Sequence, residues 1–446
     1  MALSIVVAVE RIKADVAHFL TPGAIHDLCR TLKHRWRERV LDPATTVHLF
    51  LLQILHGNTA CSHVPRLGGV DCSGEAYCQG RSRLPLALFQ CLVLLIRDRL
   101  PQASDDQLWG GHRTFHLDGS STSMPDTTEL QEAFGQPGAQ KPGCGFPVMH
   151  LLALFDATTG LLLSLVPAPL RTHDMSQIQE VHPELREGDV LVGDRGFCSF
   201  AHFALLQARN VFGVFRAHQR QIVDFTPHRR AARKGDKGRP TSRWLKRLGR
   251  NDQLVEYVKS AQRPKWMTAE AYAQLPATLT IRELRYQIRL PGRRTREVTL
   301  ATTLLDAIRY PAEAIAELYG QRWQIETNFR HLKQTLHMDV LHCQTLAGVQ
   351  KELAMYALVY NLIRCVMLEA AQEQEVPVDR ISFVDAARWL AEACDGDESV
   401  LKLRVNPSRP GRFEPRTTKR RPKEYGRMNQ PRVVLRKRLL EQQDAA

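Results

Sequence analysis

One short stretch of the chain, LYGQRWQIETNFRHLKQTL, carries a carboxylate among several groups that can donate hydrogen bonds to phosphate. On one helix turning about 100° per residue, Tyr319, Arg322, Glu326 and Lys333 would fall within roughly 60° of each other, and Arg330 would join them. A carboxylate can ligate a metal ion, while cationic and phenolic groups hold phosphate oxygens. The spacing predicts an amphipathic helix with one phosphate-binding face. An exposed helix with spaced ion pairs is the alternative.

Two aspartates follow apolar segments that are typical of strands. Asp118 lies in HLDGSS, at the predicted end of a strand over 113–119, and Asp194 lies in VGDRGF after the apolar run DVLVG. In open α/β sheets, such strand ends open onto the ligand crevice. With Glu326 they are predicted to hold two Mg²⁺ ions, or Mn²⁺ in their place, for phosphodiester chemistry. For each aspartate taken singly, a turn or helix cap is the alternative.

Three other aspartates are predicted not to bind metal. Asp126 in MPDTT and Asp156 in LFDATTG are typical of turns. Asp174 follows His173 and is predicted either to cap the next helix or to support a ligand from behind. These three acids are therefore not counted among the predicted metal ligands.

The charge balance of the chain indicates a polyanionic partner. The 446 residues are 43% hydrophobic and carry a net charge of +14, which favours nucleic acid. An anionic membrane is the weaker alternative, because the longest apolar run, 84–96, is too short to span a bilayer. The first residues, MALSIVVAVERIK, lack the basic start of a signal peptide. We expect a soluble intracellular protein.

The ten cysteines are scattered along the chain and are predicted to be reduced thiols. Their only cluster is Cys61, His63, Cys72 and Cys78. Its spacing does not match the usual zinc patterns, so buried thiols are favoured over a structural zinc site.

The pattern of elements predicts an α/β fold with a mixed sheet and flanking helices. Within it, the strand over 113–119 is predicted to end in a polar loop, and the apolar runs 148–157 and 161–169, separated by a short Thr-Thr-Gly turn, are predicted to form an antiparallel hairpin. The segment 352–371 is apolar on nearly all sides and is predicted to be a buried helix. Residues 1–107 are predicted to form a helical N-terminal domain that binds DNA, with a plain helical bundle as the alternative. Residues 108–217 hold the first part of the catalytic core, and 307–395 hold the second part with the Glu326 helix. Between them, 218–306 is predicted to be a basic, β-rich insertion, and 396–446 is a basic tail.

The set Tyr319, Arg322, Glu326 and Lys333 has the spacing Y-x2-R-x3-E-x6-K and resembles the signature of one family of enzymes. These are the bacterial DDE transposases of the insertion-sequence-4 group, which includes the transposon-5 enzyme. HLDGSS and LVGDRGF are similar to the first and second aspartate segments of that group, and AYCQGRSRLP also resembles it. The resemblance covers most of the chain, and the extreme N-terminus and the tail contribute least.

The resemblance implies a ribonuclease H-like catalytic core, interrupted by the β-rich insertion before the glutamate helix. It implies double-stranded DNA as the partner, and a homodimer that acts on two paired transposon ends and cleaves in trans. The implied catalytic metal ligands are Asp118, Asp194 and Glu326, and the implied phosphate contacts are Tyr319, Arg322 and Lys333. Arg330 is added to the phosphate contacts from its place on the predicted face.

Members of this group flip a base near the cleaved end and stack it on a tryptophan of the insertion. Trp244, Trp266 and Trp323 are the candidates here, with a simple packing role as the alternative for each.

The predicted function is therefore a DNA transposase. It would bind terminal inverted repeats, hydrolyse a phosphodiester to free a 3′-hydroxyl, and transfer that strand to new DNA. A DNA-binding regulator without catalytic activity and a structure-selective nuclease are the alternatives. A protein of this kind is expected to associate with the bacterial nucleoid.

Overall fold

The computed structural model describes residues 15–232, 236, 238–288, 296–392, 402–407 and 428–444. In these residues nine strands form a single sheet, flanked by helices, which confirms the predicted mixed α/β class. The strands are β1 (Thr114–Ser123), β2 (Val148–Asp156), β3 (Leu162–Pro169), β4 (Val190–Gly193), β5 (Phe212–Arg216), β6 (Arg243–Gly249), β7 (Asp252–Val258), β8 (Thr278–Ile288) and β9 (Arg296–Thr302). Their order across the sheet is β3-β2-β1-β4-β5-β9-β8-β7-β6.

Fourteen α-helices accompany this sheet in the described residues. The first seven are α1 (Pro22–Thr31), α2 (Pro43–Leu55), α3 (Val64–Leu67), α4 (Gly74–Arg83), α5 (Leu86–Arg97), α6 (Thr128–Phe134) and α7 (Ile178–Val181). The others are α8 (Phe200–Gln207), α9 (Ala269–Gln274), α10 (Ala312–Gln321), α11 (Gln324–Arg330), α12 (Leu346–Glu373), α13 (Phe383–Glu392) and α14 (Arg432–Asp444).

Capping side chains fix where several helices begin. Thr21 accepts from a backbone N–H at the start of α1, Asp42 does so for α2, and Thr345 does so for α12. In α1 and α2 a proline follows the cap directly, where its missing N–H costs nothing. Each such cap contributes about 1 kcal/mol, so these helix starts are encoded locally.

The first half of the sheet is a meander followed by two parallel strands. β1, β2 and β3 pair antiparallel, which confirms the predicted hairpin, while β4 pairs parallel to β1 and β5 parallel to β4. Asp156 occupies the β2–β3 turn and accepts from the N–H groups of Thr158 and Thr159. It is therefore a turn residue, as predicted.

Strand β1 is longer than its sequence indicated. The polar segment after Asp118 was predicted to be a loop, but β1 continues to Ser123. The reason is that β2 supplies partners along the whole segment, with Asp118 opposite Ala153 and Ser123 opposite Val148. Asp118 thus lies in the middle of a strand, and the prediction of a strand end at this position is wrong.

The second half of the sheet extends the edge of β5 by four antiparallel strands. Inside it, Arg282 is fully buried and makes two hydrogen bonds to Asp252, of 2.8 and 2.6 Å. Arg282 also donates to the carbonyl oxygen of Tyr310 at 2.6 Å, just before α10. This network ties the strands within 218–306 to the second part of the predicted core. Within the basic stretch 218–250, positions 233–235 and 237 lie outside the described residues.

The long helix α12 lies at the centre of the largest apolar core. It packs against α2 and α5 from the N-terminal region and against the β1–β3 side of the sheet. Asn58 Nδ2 donates to the buried Glu352 of α12 at 2.6 Å, which joins the two regions further. By length and composition α12 could cross a membrane, but 83% of its apolar 18-residue stretch is buried inside the protein. Its burial matches the prediction for 352–371.

Candidate active site

The segment that carries the signature residues is bent, and the prediction of one regular helix is wrong. α10 ends at Gln321 and α11 begins at Gln324. Between them Arg322 N donates to Tyr319 O, an i→i−3 bond that tightens the turn. A single π-helical turn, His331–Thr335, follows α11. Both departures change the angle per residue, so the polar side chains do not form one straight face.

Two parallel strands place Asp118 and Asp194 side by side. The pairing of β1 with β4 ends at Leu117 and Gly193, and an aspartate follows immediately on each strand. Asp194 then caps a short turn, since its Oδ1 accepts from Gly196 N at 2.6 Å. The two carboxylates therefore share one edge of the β1–β4 pair, although β1 itself continues.

Arg322 lies between two carboxylates. Its Nη1 donates to Asp118 Oδ2 at 3.0 Å, and its Nη2 lies 3.8 Å from Glu326 Oε1. Glu326 is one helical turn further along the same segment, whereas Asp118 belongs to β1. The guanidinium thus brings a strand carboxylate and a helix carboxylate to one place. Because the Glu326 side chain is 65% exposed, its ion pair is the weaker of the two.

Asp118 lies in surroundings that oppose its negative charge. Burial raises its pKa from the usual 3.8 to about 6. Arg322 and the Gly119 N–H, which donates to Asp118 Oδ1 at 2.9 Å, lower the pKa, while the charges of Asp194 and Asp174 raise it. The carboxylate is therefore held at a point where a bound cation would be stabilised.

Tyr319 and Lys333 border the same place. Tyr319 is 9% exposed, and burial raises the pKa of its phenol, with the charge of Asp194 acting in the same direction. The ring centre lies 5.9 Å from the guanidinium carbon of Arg322. Lys333 Nζ lies 3.5 Å from the hydroxyl of Ser120, two residues beyond Asp118 on β1. Arg330, in contrast, is an exposed residue at the end of α11, where no contact with these groups is seen in the described part of the chain.

Sequence reasoning missed one cation of this site, Arg216. It follows Phe215, which pairs with Gly193, so Arg216 lies beside Asp194 at the end of β5. Its charge lowers the pKa of Tyr319, and it is exposed. The signal was available, because a charged residue directly follows the apolar run NVFGVF as Asp194 follows VLVG.

A model of the transposase DDE domain matches residues 109–362, which is more than half of the chain and includes every residue of this site. The chain belongs to the DDE transposase family. The resemblance to the insertion-sequence-4 group is confirmed by similarity to the InsG transposase of insertion sequence IS4 from Escherichia coli K12. The two are 25% identical over 304 residues, or 67% of this chain and 62% of that protein.

Two further similarities are more limited. A probable transposase for insertion sequence IS5377 of Geobacillus stearothermophilus is 34% identical over 89 residues, which cover 20% of this chain and 23% of that protein. The chain thus spans less than two thirds of the length of either bacterial relative. A cryo-EM structure of piggyBac transposase in a synaptic complex with hairpin DNA aligns with a TM-score of 0.45 at 11% identity. That alignment covers 84% of this chain and 78% of the other.

DDE transposases depend on divalent metal ions, and the donor groups of this site fit such an ion. Asp118, Asp194 and Glu326 supply only carboxylate oxygens, the ligands that Mg²⁺ prefers. The raised pKa of Asp118 reflects burial and neighbouring negative charge, both of which a cation would offset. Within the described ranges no three acidic, histidine or cysteine groups already surround one point. The Arg322 guanidinium lies between the carboxylates of Asp118 and Glu326.

The three candidate tryptophans differ in their surroundings. Trp323 lies in the turn between α10 and α11, next to Arg322, and is 60% exposed. Trp266 is partly buried and packs against apolar residues beneath the sheet. Trp244 lies on the edge strand β6 beside His228, with ring centres 4.3 Å apart. Because Trp323 is the most exposed of the three, we propose it as the base-stacking surface, whereas Trp266 has the surroundings of a packing residue.

Proposed function

We propose that this protein is a DNA transposase that cleaves at terminal inverted repeats and transfers the freed strand to new DNA. The observation that carries the proposal is the bridge from Arg322 to Asp118 and Glu326, beside Asp194. Asp118, Asp194 and Glu326 supply three carboxylates close together. Arg322 adds a guanidinium that can bind phosphate through two hydrogen bonds. Such a combination suits in-line displacement at a phosphodiester.

The proposal includes a ribonuclease H-like core. Its support is the strand order β3-β2-β1-β4-β5, in which an antiparallel meander is followed by two parallel strands. The strands β6 to β9 would then be the insertion that separates this core from α10 and α11. Their pairing with β5 makes the insertion a continuation of the core sheet.

Within the site the side chains would divide the work by their chemistry. Asp118, Asp194 and Glu326 would hold divalent ions, two per site, which would activate the attacking oxygen and stabilise the leaving oxygen. Arg322 would exchange its contact with Asp118 for a phosphate, because a guanidinium binds phosphate through two parallel hydrogen bonds. Tyr319 and Lys333 would hold the neighbouring phosphates, and Arg330 would contact DNA further from the bond that is cut.

The proposed DNA partner also has a basic surface in the N-terminal region. A cavity of about 510 Å³ beside Trp36 is lined by His34 and by four arginines, which are Arg35, Arg37, Arg39 and Arg83. All four arginines are exposed, and among the described residues none of them has a carboxylate partner. Exposed arginines beside an aromatic ring suit the phosphate backbone of DNA. This surface supports the prediction that 1–107 binds DNA.

The N-terminal surface has its own test. Replacing Arg37 and Arg39 together by alanine should weaken DNA binding for all sequences alike. It should also reduce the slope of the logarithm of the binding constant against the logarithm of the salt concentration by about 2, because two phosphate contacts are lost. Fluorescence anisotropy at several salt concentrations measures both effects. Replacing the exposed Arg388 of α13 by alanine is the matched control. An unchanged salt dependence in the double variant would argue against this surface.

The decisive experiment is cleavage of the flanking inverted-repeat DNA by the purified protein with Mg²⁺ or EDTA. The Glu326→Gln variant should lose nicking at the repeat boundary by about 10²-fold or more, because it loses a ligand charge but keeps its shape. Glu317→Gln is the matched control, since Glu317 is an exposed glutamate on α10. Equal nicking by both variants would refute the carboxylate site.

The same assay separates the alternatives. Tight binding without Mg²⁺-dependent nicking would favour a DNA-binding regulator. Nicking without joining of the freed end to a second DNA would favour a structure-selective nuclease. The homodimer on paired ends predicts a complex with two protein chains and two DNA ends, which light scattering with and without DNA would reveal. The proposed location is the cytoplasm, on the nucleoid.

A further inference from the structure

A hydrogen-bonded pair lies directly behind the strand that carries Asp118. His150 on β2 donates from Nε2 to Asp174 Oδ1 at 2.6 Å. His150 is opposite Ser121 in the β1–β2 register, whereas Asp118 is opposite Ala153. Because side chains alternate along a strand, His150 leaves the sheet on the face opposite to Asp118 and Arg322. The pair thus supports the strand from the side away from the proposed substrate.

The pair lies close to the backbone of Gly119, the residue after Asp118. A Cβ atom at Gly119 would lie 2.6 Å from Asp174 Oδ1 and 3.2 Å from His150 Cε1, so a side chain at this position would force the pair to move. The N–H of Gly119 in turn donates to Asp118 Oδ1 at 2.9 Å. The pair and the Asp118 carboxylate therefore lie on either side of this one peptide group.

Asp174 also lies in a turn close to the second aspartate of the site. It begins the short turn Asp174–Ser176, which packs against the turn Arg195–Phe197 that Asp194 caps. Its negative charge contributes to the raised pKa of Asp118, so it also adds to the negative potential at this edge of the sheet. Asp174 thus contacts β2 through His150, lies close to Gly119 of β1, and begins a turn beside the one that Asp194 caps.

We propose that His150 and Asp174 are positioning residues that set the spacing of the Asp118 and Asp194 carboxylates and thereby the affinity of the site for divalent cations. The inference rests on the proposed function, in which those two carboxylates are the ligands. Groups that orient metal ligands from behind typically change metal affinity by 10- to 100-fold when they are removed. A side chain that only fills space would not have this effect.

The test is a titration of the purified full-length protein with Mn²⁺ in the absence of DNA, followed by the electron paramagnetic resonance signal of free Mn²⁺. His150→Ala and Asp174→Ala should each weaken binding by about 10- to 100-fold. Asp174→Asn keeps the shape and an acceptor for His150, so it should recover part of the lost affinity. His26→Ala is the matched control, because His26 makes a similar 2.9 Å pair with Asp42 far from the site.

A double-mutant cycle distinguishes the loss of positioning from general misfolding. Gly119→Ala should weaken Mn²⁺ binding, since its Cβ would collide with Asp174. Adding Asp174→Ala should then cost less than it does in the wild type, because the collision is gone, whereas general damage to the fold would be additive. Additive losses would overturn the inference.

The two proposals fail in different ways. If the wild type binds Mn²⁺ and His150→Ala binds it equally well, the inference is overturned while the carboxylate site stands. If the wild type binds no Mn²⁺, the proposed carboxylate site fails, and the inference falls with it.

Discussion

Arg322 and Asp118 lie 204 residues apart in the chain, yet Arg322 Nη1 donates a 3.0 Å hydrogen bond to Asp118 Oδ2. The bond joins strand β1 to the bend between α10 and α11. The same guanidinium lies 3.8 Å from Glu326. Arg322 therefore neutralises part of the acidic site, and in the proposed function it would release Asp118 when phosphate and cations bind.

Replacing Arg322 by lysine should reduce DNA cleavage by roughly 10- to 100-fold, the rate equivalent of losing one hydrogen bond to a charged group. A lysine ammonium is a single point of charge and cannot make the two parallel hydrogen bonds of a guanidinium. Initial rates of nicking measure the effect. Arg388→Lys, at an exposed site on α13, is the control and should cleave as the wild type does. Full activity of Arg322→Lys would show that a forked donor is not needed.

Replacing Asp118 by asparagine should stabilise the metal-free protein at pH 8. Because the folded-state pKa of about 6 is above the ordinary 3.8, ionisation of Asp118 opposes folding. The penalty is complete above about pH 6, is lost as the pH falls from 6 to 4, and is about 3 kcal/mol at most. Urea unfolding of both proteins in EDTA, at pH 8 and at pH 4, measures the difference. If Asp118→Asn raised the free energy of unfolding equally at both pH values, the raised pKa of Asp118 would be contradicted.

Breaking the buried pair between Arg282 and Asp252 should destabilise the protein by about 3–5 kcal/mol, since either single change leaves an unpaired buried charge. Asp252→Ala tests this by thermal or urea unfolding. The surface pair of Arg230 and Asp236 is the control, and Asp236→Ala should cost less than about 1 kcal/mol. Replacing both buried partners by apolar residues should restore much of the loss. Similar small effects at both sites would show that the buried pair is not a structural tie.

Replacing Trp323 by alanine should weaken base stacking near the cleaved end by about 1–3 kcal/mol and leave folding nearly unchanged, because the side chain is 60% exposed. Trp266→Ala should do the reverse and lower the unfolding midpoint, since Trp266 packs against apolar residues. A DNA end with 2-aminopurine near the cleavage position reports stacking by fluorescence. If Trp266→Ala alone abolished the stacking signal, the assignment to Trp323 would be wrong.

The elements that could be predicted are those encoded by neighbouring residues. The β2–β3 hairpin was predicted because two apolar runs flank a short Thr-Thr-Gly turn, and Asp156 closes that turn. The buried helix α12 was predicted from its apolar composition on nearly all sides. In both cases the local pattern and the tertiary environment favour the same structure.

The failures occurred where a distant partner decides the local structure. The polar segment Gly119–Ser123 has the composition of a loop, but β2 pairs with all of it and makes it a strand. The bend at Arg322 also escaped the spacing argument, because a regular 100° step says nothing about a tightened turn followed by a π-helical one.

The sequence by itself determined which chemical groups this protein has and in what order: two aspartates after apolar segments, a glutamate among phosphate donors, and a strongly basic chain. Only the tertiary structure decided which groups are neighbours. The register that aligns Leu117, Gly193 and Phe215 puts Asp118, Asp194 and Arg216 in one row, and the fold sets His150 and Asp174 behind Gly119. The physical reason is that strand register and packing depend on contacts between residues far apart in the chain, which no local pattern encodes.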